Sequence, residues 1–403
     1  MITGQFGVEA LDQVALQSPK VYVNELAPGQ WNLSDLLKPD TTSQSAKFNL
    51  SLLIQNAQVY VNRQNLVMKE VGMNGKVDIF STGKISGTGD FILDRDRGQV
   101  EVSWYQERGT IKVSGGDLSL THGSLAWLSN QEPQLTNWAG EIKNYRVEIQ
   151  RTENQAWAVQ GEAELRNAGI SWQDYHLTSW NGRISGTDKG IEFANVKGNL
   201  NDQLLGISGK MEVQGDKKLN LFLQTEGFQL GAISMAKAQE LSGSLKAEIE
   251  ITGTLELPLV TGKLGVNDLF YQDSLIGSFT SDFSGDLSEI KVKNFEGRVF
   301  SGQLSGTGSF KLKDQVGDGH LTLKNIYLDQ IPKKFGLAEL APLKGSVSGD
   351  VVFNGGTQGI RGNGDLQFSE GQIRGISVVQ AAGEFVWASQ NQYSAKLHFL
   401  AAG

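Results

Sequence analysis

The sequence predicts an all-β protein, an elongated array of antiparallel strands with a short helix per repeat, and three observations carry that prediction. Apolar and polar residues alternate with period two along much of the 403-residue chain, which gives a strand one greasy face and one wet face. Turn residues separate these runs at roughly the 8–12-residue spacing of antiparallel sheets. A block of strand-like text also returns about every hundred residues, the mark of stacked units that bury apolar faces against their neighbours.

The alternation is clearest over residues 245–252, where Leu245, Ala247, Ile249 and Ile251 fall on one face. Lys246, Glu248, Glu250 and Thr252 fall on the other and keep it wet. The same text places Leu219, Leu221 and Leu223 together, then Ile290 with Val292, and Phe310 with Leu312. Asp216, Gly253, Gly285, Gly317 and Gly355 punctuate the runs. Residues 232–241 and 332–341 read as the short helices, the second opened by Pro332, which suits a first helical position.

Trp138-Ala-Gly-Glu-Ile-Lys, Leu241-Ser-Gly-Ser-Leu-Lys and Leu343-Lys-Gly-Ser-Val-Ser open three successive copies. A slide of 99 positions sets Trp172 over Tyr271, Trp180 over Phe279, Asn195 over Asn294 and Gly198 over Gly297. The copies divide the chain into 1–44, the tail of a preceding repeat, then 45–137, 138–240, 241–342 and a truncated 343–403. Strand-like text at both ends reads as a piece of a longer protein.

Composition narrows the function. A net charge of −8 and a pI near 5.2 argue against nucleic acid, whose phosphates need clustered Lys and Arg. The absence of cysteine removes disulfides and thiolate metal sites. No stretch reaches the roughly 18 apolar residues of a membrane-spanning helix.

The search for catalytic and cofactor chemistry returns structural readings. His122, His176, His320 and His398 are widely spaced with no ligand pattern around them. The segment from Asp94 to Gly98 lacks a closing Glu for calcium and reads as a hairpin. Gly362-Asn-Gly-Asp365 resembles a fragment of a calcium-binding β-roll repeat, yet it occurs once and lacks the paired leading glycines. Ser-Gly-Thr-Gly at 86–89 and 305–308 has no following Lys, so it reads as a bulge or tight turn rather than a phosphate loop. Asp282 and Asp286 could pair as a glycosidase dyad, yet acidic residues beside turns are common. The chain is expected to be no enzyme and to need no cofactor or metal.

The N-terminal segment Pro19-Lys-Val-Tyr-Val-Asn-Glu-Leu-Ala-Pro-Gly-Gln-Trp-Asn-Leu-Ser-Asp-Leu-Leu37 resembles a motif of AsmA-like and TamB-like proteins. The Gly-rich amphipathic repeats of 45–403 look like the body of the same group. That resemblance implies a curled sheet forming a taco-like groove that moves phospholipid or supports outer-membrane assembly. It also implies a periplasmic protein anchored in the inner membrane and paired with an outer-membrane barrel. Leu219, Leu221, Leu223, Leu245, Ala247, Ile249, Ile251, Ile290, Val292, Phe310 and Leu312 are the candidate floor of such a groove, facing phospholipid acyl chains. Pattern alone favours placing these residues in the dry core of tandem β-sandwiches, an adhesin or stalk that binds protein or glycan, and the resemblance reverses that preference.

Overall fold

A computed structural model of the chain describes residues 12–27, 30–32, 49–63, 66–67, 71–80, 82–93, 96–105, 108–120, 135–151, 157–172, 175–232, 240–331, 343–356, 359–389 and 392–401. Their contacts divide the chain into two compact units, Met1–Asp202 with Glu212–Gly215, and Gln203–Met211 with Asp216–Gly403. The dividing line falls inside the 138–240 repeat. Both units are all-β.

The first unit holds β1 (Gln13–Gln17), β2 (Lys20–Ala27), β3 (Gln30–Trp31), β4 (Leu50–Arg63), β5 (Leu66–Val67), β6 (Val71–Ile79), β7 (Lys84–Leu93), β8 (Asp96–Tyr105), β9 (Arg108–Ser119), β10 (Leu135–Arg151), β11 (Trp157–Trp172), β12 (Tyr175–Thr187) and β13 (Gly190–Leu200). From β6 onward each strand pairs antiparallel with the next. The N-terminal edge departs from the expected antiparallel pattern. β1 and β2 both lie parallel to β4, matching Gln13 to Ser51 and Lys20 to Gln58. β4 therefore starts at the same end as β1. A parallel pair requires a crossover connection, and strand direction leaves no trace in alternation.

Within the recognisable N-terminal motif, Asn32 does structural work. Its side-chain oxygen accepts the Asn24 amide at 2.8 Å and its Nδ2 donates to the Tyr22 carbonyl at 2.8 Å. Tyr22 stacks on Tyr60 of β4 with ring centroids 5.1 Å apart.

The second unit is a meander of β14 (Gln203–Glu212), β15 (Leu219–Gln229), β16 (Leu241–Gly253), β17 (Pro258–Tyr271), β18 (Ser274–Gly285), β19 (Glu289–Val299), β20 (Gly302–Lys311), β21 (Val316–Tyr327), β22 (Leu343–Gly356), β23 (Gly359–Ile373), β24 (Ile376–Ser389) and β25 (Gln392–Ala401). Every strand pairs antiparallel with its sequence neighbour. Among the described residues no pairing joins β25 back to β14, so this sheet is open. Its long connections, 230–240 and 328–342, leave from one edge, called the upper edge below. Among the described residues the lower edge carries shorter connections such as 254–257, 286–288 and 312–315.

Helix is scarcer than predicted. Among the described residues only two 3-10 turns occur, Leu230–Ala232 and Leu328–Gln330. The predicted helices at 232–241 and 332–341 fall almost wholly outside the described residues.

The strands curl because they are bulged. Asn195, Asn294 and Asn325 sit at φ of 51°, 46° and 52°, and the pairing register slips beside each of them. Asn tolerates the left-handed region better than most side chains. Each bulge bends its strand and shifts the apolar phase by one residue. In β19 the apolar face takes Ile290 and Val292, then Phe295, Gly297 and Val299. In β21 it takes Leu321 and Leu323, then Ile326. The orphaned bulge amide is met from the next strand in several cases: Ser348 Oγ accepts Asn325 N–H at 2.8 Å, and Asn181 Oδ1 accepts Asn167 N–H at 3.0 Å.

Ser-Gly-Thr-Gly at 86–89 and 305–308 is neither bulge nor turn. Both lie inside regular strands, β7 and β20, where register sets Gly89 against Gly75 and Gly308 against Gly319. The alternating glycines occupy the apolar face. At several glycines of this face a neighbouring aromatic ring lies across the backbone. A Cβ on Gly319 would approach Phe353 Cζ to 2.5 Å, and one on Gly198 would collide with the Trp180 ring. Such rings cover the backbone that glycine leaves bare.

Candidate functional site

The candidate site is the apolar face of the second unit, because there the predicted residues are described and in register. Directly opposed residues in an antiparallel pair share a face. Leu223 opposes Ile249, which opposes Gly262; Gly262 opposes Phe283, and Phe283 opposes Val292. A second row runs Leu221, Ile251, Val260, Gly285, Ile290 and Phe310. Two apolar rows therefore cross at least five strands without a charged residue.

The predicted floor residues meet different degrees of burial. Ala247 is 3% exposed and Leu219 8%. Leu221, Leu223, Leu245, Ile249, Ile251, Ile290 and Val292 are half-buried. Phe310 is 41% exposed and Leu312 38%. Leu312 stands just beyond β20, its amide donating to the Ser288 carbonyl at 2.9 Å. Register joins the β15–β16 group directly to itself and Ile290 to Phe310, while β17 and β18 separate the two groups.

Those intervening strands supply face residues that alternation missed: Val260, Leu264, Val266, Phe279 and Phe283. The available signal was apolar text in which glycine holds alternate places, as in Val260-Thr-Gly-Lys-Leu-Gly-Val266. A hydrophobicity pattern treats that glycine as a gap, whereas the fold uses it as a seat for a ring.

The face is closed above and open below. Near the upper edge Val299, Ile326, Leu328 and Val347 form a buried cluster against Phe279, Leu304, Leu323 and Phe368. Phe279 and Phe295 stack there with centroids 5.3 Å apart. Below the bulges, among the described residues, no second sheet or helix is laid over the face. Its side chains remain half-exposed for that reason.

The opposite face is a ladder of alternating charge. Glu248 opposes Lys263, Lys263 opposes Asp282, and Asp282 opposes Lys293. Opposed unlike charges stabilise a pair by about 0.2–1 kcal/mol. This face carries a shallow hollow of about 490 Å³ beside Glu296, Arg298, Thr322 and Lys324. The polar face of the first unit carries hollows of about 990 and 820 Å³, whose polar walls include Asp90, Gln99, Ser114 and Arg146.

The residues weighed for chemistry have structural partners. Asp286 accepts the amides of Ser288 at 2.7 Å and Glu289 at 3.0 Å, as well as the Ser288 hydroxyl, and so shapes the β18–β19 turn. The Ser288 hydroxyl bond, followed by those amides, holds its carboxyl below the usual carboxylate value. Asp282 instead accepts Asn294 Nδ2 at 2.9 Å, beside the bulge. His320 Nε2 lies 3.2 Å from Asp350 Oδ1 on the polar face, and the His176 ring lies 3.0 Å from Ser171 Oγ. His122 lies outside the described residues. Among the described residues no three His, Cys, Asp or Glu side chains gather as a metal-binding group. Gly362 and Gly364 lie inside β23; Leu93 opposes Asp96, while Asp94 and Arg95 lie outside the described residues.

No protein-family model matches the chain, and neither a curated protein nor a solved structure does. No helix among the described residues is long and apolar enough to cross a membrane.

Proposed function

We propose that this chain is a segment of a lipid-conducting β-groove, non-enzymatic, whose apolar face carries phospholipid acyl chains between the inner and outer membranes or in support of outer-membrane assembly. The reading extends the AsmA-like and TamB-like resemblance of the N-terminal motif. It includes a taco-like cross-section, a helix at each upper crossing, a periplasmic location, an inner-membrane anchor elsewhere in the protein and an outer-membrane barrel as partner.

One observation carries it: an apolar surface continuous across five strands, uncovered below the bulges, and backed by a charged face. Such a surface must be covered or filled. Each methylene moved out of water gains about 0.8 kcal/mol, so a tail of about 16 carbons gains on the order of 10 kcal/mol. Rows without charge let that gain stay nearly constant as a tail slides, so transport needs no nucleotide and follows supply and demand. The rival reading, tandem sandwiches that bind protein or glycan, would need a second sheet over this face.

Photo-crosslinking tests the proposal. A photoreactive residue at Ile249 should capture phospholipid in cells, while the same group at Glu248, one position along on the charged face, should capture little. Equal capture at the two positions would sink the groove.

A further inference from the structure

We infer that lipid tails reach the apolar face of the second unit over its lower edge, across hairpins tipped with leucine; this rests on the lipid reading above. Turn tips favour Gly, Asn, Asp, Ser and Pro. The lower hairpins instead present Leu255 at 55% exposure, Leu257 at 74% and Leu287 at 65%.

Those leucines are not needed to make the turns. Thr254 Oγ1 accepts the Leu257 amide at 3.1 Å, and Asp286 accepts two amides of its own turn. The two leucine-tipped hairpins lie two strands apart, about 9–10 Å, and Leu312 at 38% exposure opens the next lower hairpin. Phe310 belongs to both features, because it lies in an apolar row and is 41% exposed near the same edge. An apolar path therefore runs from the tips onto the face.

At the upper edge exposed apolar residues among the described ones, such as Leu275 at 51% and Ile376 at 61%, stand within strands β18 and β24 rather than at turn tips. Val299, Ile326, Leu328 and Val347 are packed together there, and the 3-10 turn at Leu328–Gln330 folds Leu328 into them. Charges beside the lower tips are of both signs, Lys217, Lys218, Asp216 and Glu256 among them. That mixture attracts no anionic surface strongly, so the apolar tips select for tails.

The test uses the full chain with single photoreactive residues at Leu257, Leu287, Asp273 or Ile249, exposed to phosphatidylethanolamine vesicles. Asp273 marks an upper hairpin. Tail adducts are expected at Ile249, Leu257 and Leu287, and severalfold fewer at Asp273. Combining Leu255→Ser, Leu257→Ser and Leu287→Ser should slow capture at Ile249 severalfold while the circular dichroism stays unchanged. Capture at Ile249 with equal yields at Leu257 and Asp273, or with undiminished loading of the folded triple variant, overturns lower-edge access and leaves the lipid reading standing. No capture at Ile249 in the otherwise native chain overturns both.

Discussion

The aromatic ring laid over glycine is the recurring residue-scale contact. Trp180 covers Gly198 on the neighbouring strand while its Nε1 donates to the Asn199 carbonyl at 3.1 Å. The 99-residue slide carries Trp180 and Gly198 to Phe279 and Gly297, and register pairs these two as well. The recurrence of Trp180 and Phe279 was legible in the text, but their seats were not, because a glycine gives no hydrophobic signal. Gly198→Ala would drive a Cβ into the indole of a buried site. Overpacking of this kind costs about 1–3 kcal/mol. Urea unfolding of the variant should show that loss, whereas alanine at exposed Gly116, where a Cβ meets nothing within 4 Å, should show almost none.

The strand with one phase slip is the unit at the scale of elements. Simple alternation made residues 290–292 and 245–251 readable as strand, yet it could not carry the reading past Asn294. The missed signature is apolar-x-apolar, then two polar places ending in Asn, then apolar-x-apolar, as in Ile290-Lys-Val-Lys-Asn-Phe-Glu-Gly-Arg-Val299. The doubled polar step looks like noise until the bulge explains it. Deleting Asn294 would restore unbroken alternation and keep Phe295 and Val299 on the apolar face, at the expense of the bend. Deleting Lys291 would throw one side of the strand onto the wrong face, since a one-residue slip inverts every side chain beyond it. The Lys291 deletion should therefore lower the urea midpoint far more than the Asn294 deletion; the reverse order would refute the phase-slip account.

In the molecule as a whole, each strand from β6 onward within a unit depends on its sequence neighbours. Period-two text and turn spacing sufficed to give the all-β class. Strand direction at the N-terminus lay beyond them, because parallel and antiparallel runs alternate alike. The helical text at 232–241 and 332–341 falls almost wholly beyond the described residues. Nearest-neighbour architectures lose structure piecewise rather than all at once. Calorimetry of the intact chain should thus give a broad transition whose van't Hoff enthalpy falls below the calorimetric value, and equality of the two would contradict it. The one-sided placement of the long connections in the second unit bears on how such a chain could grow. Between β15 and β16, or β21 and β22, extra sequence has room to accumulate as an ornament, because each join already spans far more residues than a hairpin needs. At the Asp286–Ser288 corner the same addition would break the carboxylate clasp and spread two strands apart, so novelty has one border open to it and another shut.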